Sequence, residues 1–377
     1  MLKDEIHVVQ RGDSSGNDMI IRITLSSGRH IYGFATANLY GGDWDIGPTW
    51  NYLVTGDRPF LVDSGRRGQG RQLLKMMEAA GGFRGQDIDS IIVSHGHEDH
   101  DGGLFEITNL INARVVAHEV YGSLVRCNPE AAPSGEKAEF PASCWCCPMP
   151  ETFYKSNCLE YHRERQTLTI MDMGNLPEAL GSGIQVFHTP GHCPDSVVLL
   201  VDGEAMLVED TVLPEITPHP TLESHFAVMK PALPEKFEEA QQLFGLRAYI
   251  RSLKMLRAVT GTTDKILVLP AHRWYSQDRW NHLNLSGRID EIVQHHIDRC
   301  YDILQTLATG PKTPREIAIE YFQPSLLKGY GIHLAINEIK SHCELMEISR
   351  DVVVLDDGKV SSIGGDNNFR SLINGPK

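Results

Sequence analysis

Residues 94–104 read SHGHEDHDGGL, which places three histidines, two aspartates and a glutamate in eleven positions. Groups of one charge repel each other, and imidazoles gain nothing from crowding in water. A positive ion in their midst removes the difficulty. Neutral imidazole and carboxylate are the ligands that zinc and other borderline divalent metals prefer. His95, His97, Asp99 and His100 follow the apolar run Ile91-Ile92-Val93, so they fan out from a loop at the end of a strand. Four ligands in six residues exceed what one catalytic ion takes from a single loop, and this points to two ions. A solvated loop with chance histidines does not account for such density.

The remaining ligands for such a site stand at other strand ends. TPGHCPDS supplies His192 in a Pro-Gly turn, VEDT places Asp210 beyond an apolar run, and LPAHRW places His272 after Ile266–Leu269. Each alone is weak, because a lone histidine after a strand is more often a structural residue. Cys193, beside His192, reads as a buried structural thiol.

The elements that deliver these residues can be read along the chain. NYLVTGDRPFLVDSG predicts a hairpin around Thr55-Gly56-Asp57, and GRQLLKMMEAAGG predicts a helix with Leu73, Leu74, Met76, Met77 and Ala80 at helical spacing. GIQVFHTPGH, SVVLLVDG, EAMLVEDTV and KILVLPAH read as strands. EKFEEAQQLFGLRAYIRSLKMLRAV reads as one long amphipathic helix with Phe244, Ile250, Leu253 and Leu256 on one side. Residues 120–165 show little periodicity and read as an inserted loop region. Beyond about Ser286 the texture is mostly helical. One helix carries Ile289, Ile292, Val293, Ile297, Cys300 and Leu304, a second opens on the capping box TPRE at Thr313–Glu316, and HLAINEIKSHCELM is a third. A hairpin around Asp357-Gly358 follows, and together these suggest a small winged-helix-like unit. The expected division is residues 1–285 and residues 286–377.

The motifs in this order resemble the metallo-β-lactamase superfamily, over roughly residues 30–285. The resemblance implies an α/β protein, an αββα sandwich with a two-metal site at one edge, followed here by the small helical C-terminal domain. It implies that His95, His97 and His192 hold one metal, that Asp99, His100 and His272 hold the other, and that Asp210 bridges them. Asp63 in LVDSG matches an acidic position beside the site, behind the ligands. Two departures bear on loop geometry: Glu209 stands where Gly usually precedes the bridging Asp, and Ala271 replaces Gly before the last His. The ions expected are zinc, with iron or manganese as alternatives. Two cations sharing a bridging water lower its pKa enough to supply hydroxide near neutral pH, with Asp99 placed as the catalytic residue that orients it.

Within that superfamily the VEDTVLPEITPHP and GPKTPREIA stretches are similar to glyoxalase-II-like hydrolases with a helical tail, which implies a thioester, ester or lactone substrate. A single-strand endoribonuclease is the alternative among hydrolases, and a non-enzymatic metal-binding module the alternative outside them. The net charge of −14 argues against nucleic acid. So do residues 286–377, with 10 Lys+Arg against 13 Asp+Glu, net −3. The tail therefore packs on the active-site face or forms a homodimer contact. His219, His225, Arg273 and Tyr275 are candidates to line the pocket of a small anionic substrate.

Of the eight cysteines, Cys127, Cys144, Cys146, Cys147 and Cys158 cluster in the insert. A third, structural zinc, a redox pair and unliganded thiols all remain open for them. No apolar run approaches the ~18 residues of a membrane span, and the N-terminus lacks the apolar core of a signal peptide. A cytoplasmic protein is the expectation.

Overall fold

The computed structural model describes residues 6–38, 46–126, 149–175, 180–261, 265–365 and 367–375. Strands β1 (Ile6–Gln10), β2 (Ile20–Thr24), β3 (His30–Thr36), β4 (Thr49–Val54), β5 (Phe60–Val62), β6 (Ser90–Ile92), β7 (Arg114–Ala117) and β8 (Ile170–Asp172) form one sheet in sequence order. The second sheet holds β9 (Ile184–His188), β10 (Val197–Val201), β11 (Ala205–Glu209) and β12 (Leu267–Pro270), in the order β12-β11-β10-β9.

Strand periodicity explains how the two sheets become a sandwich. Successive side chains point to opposite faces, so Ile92 and Leu199 enter the core between the sheets with Trp50, Tyr52, Val54, Val116, Leu207 and Leu269. Their neighbours Ile91 and Val198 point the other way. Ile91 meets Leu73, Met76 and Met77 of the helix Gly70–Gly81. Val198, Leu200 and Met206 meet Ile250, Leu253 and Leu256 of the helix Gly245–Thr260. The layers are therefore helix, sheet, sheet, helix, as the resemblance implies.

The C-terminal helices Leu285–Leu307, Pro314–Tyr321 and Gly331–Ile348 add to the second outer layer, followed by a hairpin that pairs Val352–Val354 with Val360–Ser362. Thr313 and Glu316 form the capping box read from TPRE. Ile289, Ile292, Cys300, Ile339 and Met346 share one continuous apolar cluster with the helix Gly245–Thr260.

Three expectations need correction. The long helix begins only at Gly245, because Phe244 is extended (φ −118°, ψ 155°) and Gly245 has φ +85°. Phe244 points into the cluster with Leu233, Phe237 and Leu243, away from the side of Ile250 and Leu253. The described part of the insert is helical at Glu119–Arg126 and Leu159–Gln166, and the second helix buries Tyr161 and Arg165. Strands β1 and β2 were not read from the sequence, although IIRIT has the β-branched character of a strand. Cys127, Cys144, Cys146 and Cys147 lie outside the described residues; Cys158 is buried.

Candidate metal centre

Chain direction brings the ligand candidates to one edge. β5, β6 and β7 run parallel. β9 and β11 each pair antiparallel with β10, and β12 runs parallel to β11. Asp63 follows β5, His95–His100 follow β6, His192 follows β9, Asp210 follows β11 and His272 follows β12. A register shift between Leu207 and Glu209 turns the end of β11, as a bulge does where a side chain must be re-aimed. Glu209 lies in the left-handed region at φ +46°, a conformation that Gly adopts without strain. This is the physical content of the Gly-to-Glu departure. Ala271, by contrast, has no such strain, and its carbonyl accepts from the Trp50 amide at 2.8 Å.

Two groups of ligand atoms converge at this edge. His95, His97, His192 and Asp210 each place one within 4.8 Å of the others, and so do Asp99, His100 and His272. Asp210 reaches both groups: Oδ2 is 3.5 Å from His192 Nε2 and 3.6 Å from His100 Nε2, and Oδ1 is 3.4 Å from His272 Nε2. Oδ2 of Asp99 lies 3.2 Å from His272 Nε2.

The atoms behind the ligands decide which ring nitrogen faces inward. His100 Nδ1 donates to Asp63 Oδ2 at 2.7 Å, His192 Nδ1 to the His219 carbonyl at 2.9 Å and His272 Nδ1 to the Pro48 carbonyl at 3.2 Å. An oxygen acceptor at Nδ1 fixes the proton there and leaves Nε2 with its lone pair turned to the centre. Ser94 extends the same logic. Its hydroxyl donates to Asp63 Oδ2 at 2.6 Å, so it accepts from His95 Nδ1 at 3.0 Å and leaves His95 Nε2 inward. His97 presents Nδ1, 2.9 Å from His95 Nε2 and 3.1 Å from His192 Nε2.

The electrostatics favour a cation. Burial pushes the His95 pKa well below its usual value and that of His97 down to about 3, which keeps their lone pairs available. Burial also works against ionised carboxylates, yet His100 and His272 hold Asp99 and Asp210 well below the usual range. His100 is pulled well upward despite burial by Asp99, Asp210 and Asp63. A field that draws protons onto buried imidazoles draws metal ions equally. Inside this cage the buried atoms His100 Nε2, His272 Nε2 and Asp210 Oδ1 have no hydrogen-bond partner. Two divalent ions would satisfy all three.

The pocket candidates separate. His219 touches the site through its carbonyl on His192. Tyr275 instead packs on Trp280 at 5.0 Å and faces Asp278 with its hydroxyl. Arg273 (φ +58°) is half-buried, its carbonyl held by Asn281, and His225 opens the short helix His225–Met229. Cys193 is fully buried.

Sequence reading missed several supports. Asn38 Nδ2 donates to Asp99 Oδ2 at 2.8 Å. Asp101 accepts from Tyr121 and Tyr161, and Arg165 reaches both Asp101 and the carbonyl of Gly96, between His95 and His97. Ser94 carried a signal, since it adjoins the motif; Asn38, Tyr161 and Arg165 carried none.

Residues 44–208 match the sequence profile of the metallo-beta-lactamase superfamily. Two crystal structures share the fold. One, of a metallo-beta-lactamase family protein from Thermus thermophilus, is 21% identical with a TM-score of 0.61, covering 88% of this chain and 98% of its own. The other, of a beta-lactamase domain protein from Burkholderia ambifaria, is 15% identical with a TM-score of 0.61, covering 96% of this chain and 98% of its own. Asp210 and His272 lie beyond the matched segment, and the fold returns them to it.

Proposed function

We propose that this chain, which carries a metallo-beta-lactamase superfamily domain, is a two-metal hydrolase that cleaves a thioester or related ester or lactone of a small anionic substrate. The observation that carries the reading is the closed set of inward lone pairs with three orphaned atoms among them. His95, His97, His192 and Asp210 would hold one ion, and Asp99, His100 and His272 the other, with Asp210 common to both. Such a pair, when bound, supplies a water-derived nucleophile near neutral pH and polarises the carbonyl under attack.

The chain's own residues do the rest. Asp63 orients His100 directly and His95 through Ser94, so one buried carboxylate aligns both groups of ligands. The low pKa of Asp99 makes it a weak proton acceptor, and its role is to orient the nucleophile by accepting a hydrogen bond. Asn38 holds Asp99 Oδ2 from behind. The ligand set itself offers no serine or cysteine nucleophile. Zinc suits five imidazoles and two carboxylates; iron and manganese are alternatives. The net charge of −14 favours a small substrate over RNA.

The test is metal analysis of purified protein, joined to a screen of anionic thioesters, lactones and single-stranded RNA. Two ions per site and thioester or lactone turnover are expected, with label from isotopic water entering the acid product in a single turnover. Asp210→Ala should lose metal and nearly all turnover. Cleavage of RNA alone, or an acyl group trapped on the protein, would overturn the proposal.

A further inference from the structure

Four histidines outside the metal centre gather where the C-terminal helices meet the catalytic loop. His295 and His296 belong to the helix Leu285–Leu307, His342 to the helix Gly331–Ile348, and His219 to the loop whose carbonyl holds His192. One nitrogen from each of His295 and His296 and one carboxylate oxygen of Glu338 lie within 4.8 Å of one another.

Hydrogen bonding fixes what these nitrogens present. His342 Nδ1 lies 2.7 Å from the Glu338 carbonyl, which only accepts, so Nδ1 carries the proton. His342 Nε2 therefore holds a lone pair, and it accepts from His296 Nδ1 at 3.0 Å. His296 Nε2 is left with a lone pair inside a fully buried ring, and it has no partner. Burial and neighbouring histidines hold His296 neutral, so protonation does not relieve it.

The two neighbouring groups are acceptors as well. Arg299 is a donor only, and it donates to His295 Nε2 and to Glu338 Oε1, both at 3.1 Å. The His295 lone pair and the Glu338 carboxylate are thus both satisfied by one cationic side chain, while the His296 lone pair beside them is not. An anion has no place among three acceptors. In this same position the Arg299 guanidinium also lies 4.6 Å over the Tyr321 ring and 5.0 Å over that of Phe322.

We propose that His295, His296 and Glu338 form a further divalent-metal site of zinc-like preference, for which Arg299 and the ion compete. Ligands on a tetrahedral zinc stand about 3.3 Å apart. His295 and Glu338 are both half-buried, so side-chain rotation can close that gap once Arg299 gives up its hydrogen bonds to them. His296 is already aimed by His342, as a ligand histidine is aimed by the group behind it.

Equilibrium dialysis of the full chain against buffered zinc tests the site, with metal counted per chain. His295→Ala should hold one equivalent fewer than wild type, and Asp210→Ala/His295→Ala one fewer than Asp210→Ala. That second comparison stands whether or not the catalytic pair is assigned correctly. Arg299→Gln should bind the same equivalent about tenfold more tightly, since the rival cation is gone. Equal zinc content and affinity with and without His295 in both backgrounds would overturn the proposal, and would leave only a buried water at His296. Arg299→Gln with unchanged or weaker zinc affinity would overturn the competition.

Discussion

Arg165→Met is the perturbation that most sharply tests how the insert supports the metal loop. Arg165 and Asp101 are both buried, 3.4 Å apart. Arg165 also donates to the Tyr161 hydroxyl and to the Gly96 carbonyl. Burial raises the Asp101 pKa to about 7, and Arg165 is the first of the groups that hold it down. Removing one partner of a buried pair commonly costs about 3–5 kcal/mol, but here protonation of Asp101 limits the loss. The unfolded carboxyl titrates near 3.8 and the folded one near 7. The folded state therefore binds more protons between those values, and stability falls as pH rises through that window and then levels. Without Arg165 the folded pKa rises further, so the fall continues above pH 7. Below pH 7 the variant should lose only its hydrogen bonds, about 1–3 kcal/mol. Above pH 7 the deficit should grow by about 1.4 kcal/mol per pH unit. Urea unfolding of chelated wild type and variant at pH 6 and pH 8 measures both numbers. A deficit that is equal at the two pH values, or below about 1 kcal/mol at both, would refute this account.

Asp63→Ala should weaken metal binding by about 10- to 100-fold, because His100 and Ser94 lose the carboxylate that orients them; chelator competition measures it, and unchanged affinity contradicts the orienting role. Burial holds His118 and His188, stacked at 3.8 Å, neutral down to about pH 4 and about pH 3. Their unfolded value is 6.5, so stability is full above that pH and falls as pH drops toward 4. His118→Phe should flatten the loss by up to about 1.4 kcal/mol per pH unit in that window, read as urea midpoints, and an unchanged slope rejects it. Cys144→Ser/Cys147→Ser should lose one metal equivalent and make residues 120–165 protease-sensitive, with the catalytic ions retained, if those thiols bind zinc. Full metal content and protease resistance would show that they do not.

What was legible in the sequence was whatever repeats at short range. Short apolar runs bounded by loops placed the strands of the second sheet, helical spacing placed Gly70–Gly81 and the three C-terminal helices, and TPRE set the start of its helix. The metal candidates were legible because ligand chemistry restricts residue type and each one follows a strand. The start of the helix at Gly245 was not legible. The apolar period runs unbroken through Phe244, and only packing against Leu233 and Phe237 turns that ring into a different cluster. Arg165 was hidden for a similar reason. Its helix has no apolar stripe, since it buries Tyr161, His162 and Arg165, and its partner Asp101 looked like one more acid in a crowded motif.

Glu209 shows how a strained residue is held beside a metal ligand. Glu209 sits left-handed at φ +46° with both carboxylate oxygens buried and unpartnered. Each of these features costs stability, on the order of 1–3 kcal/mol apiece. A strained residue persists only where its surroundings over-determine it. Here the surroundings are covalent and close: β11 is fully buried between β10 and β12, and the next residue, Asp210, stands within 4 Å of four ligand histidines. Burial and Asp63 push the Glu209 pKa well upward, so its carboxyl is held neutral beside two carboxylates. A neutral Glu209 adds no charge to Asp63, Asp99 and Asp210, the three carboxylates that already face His100.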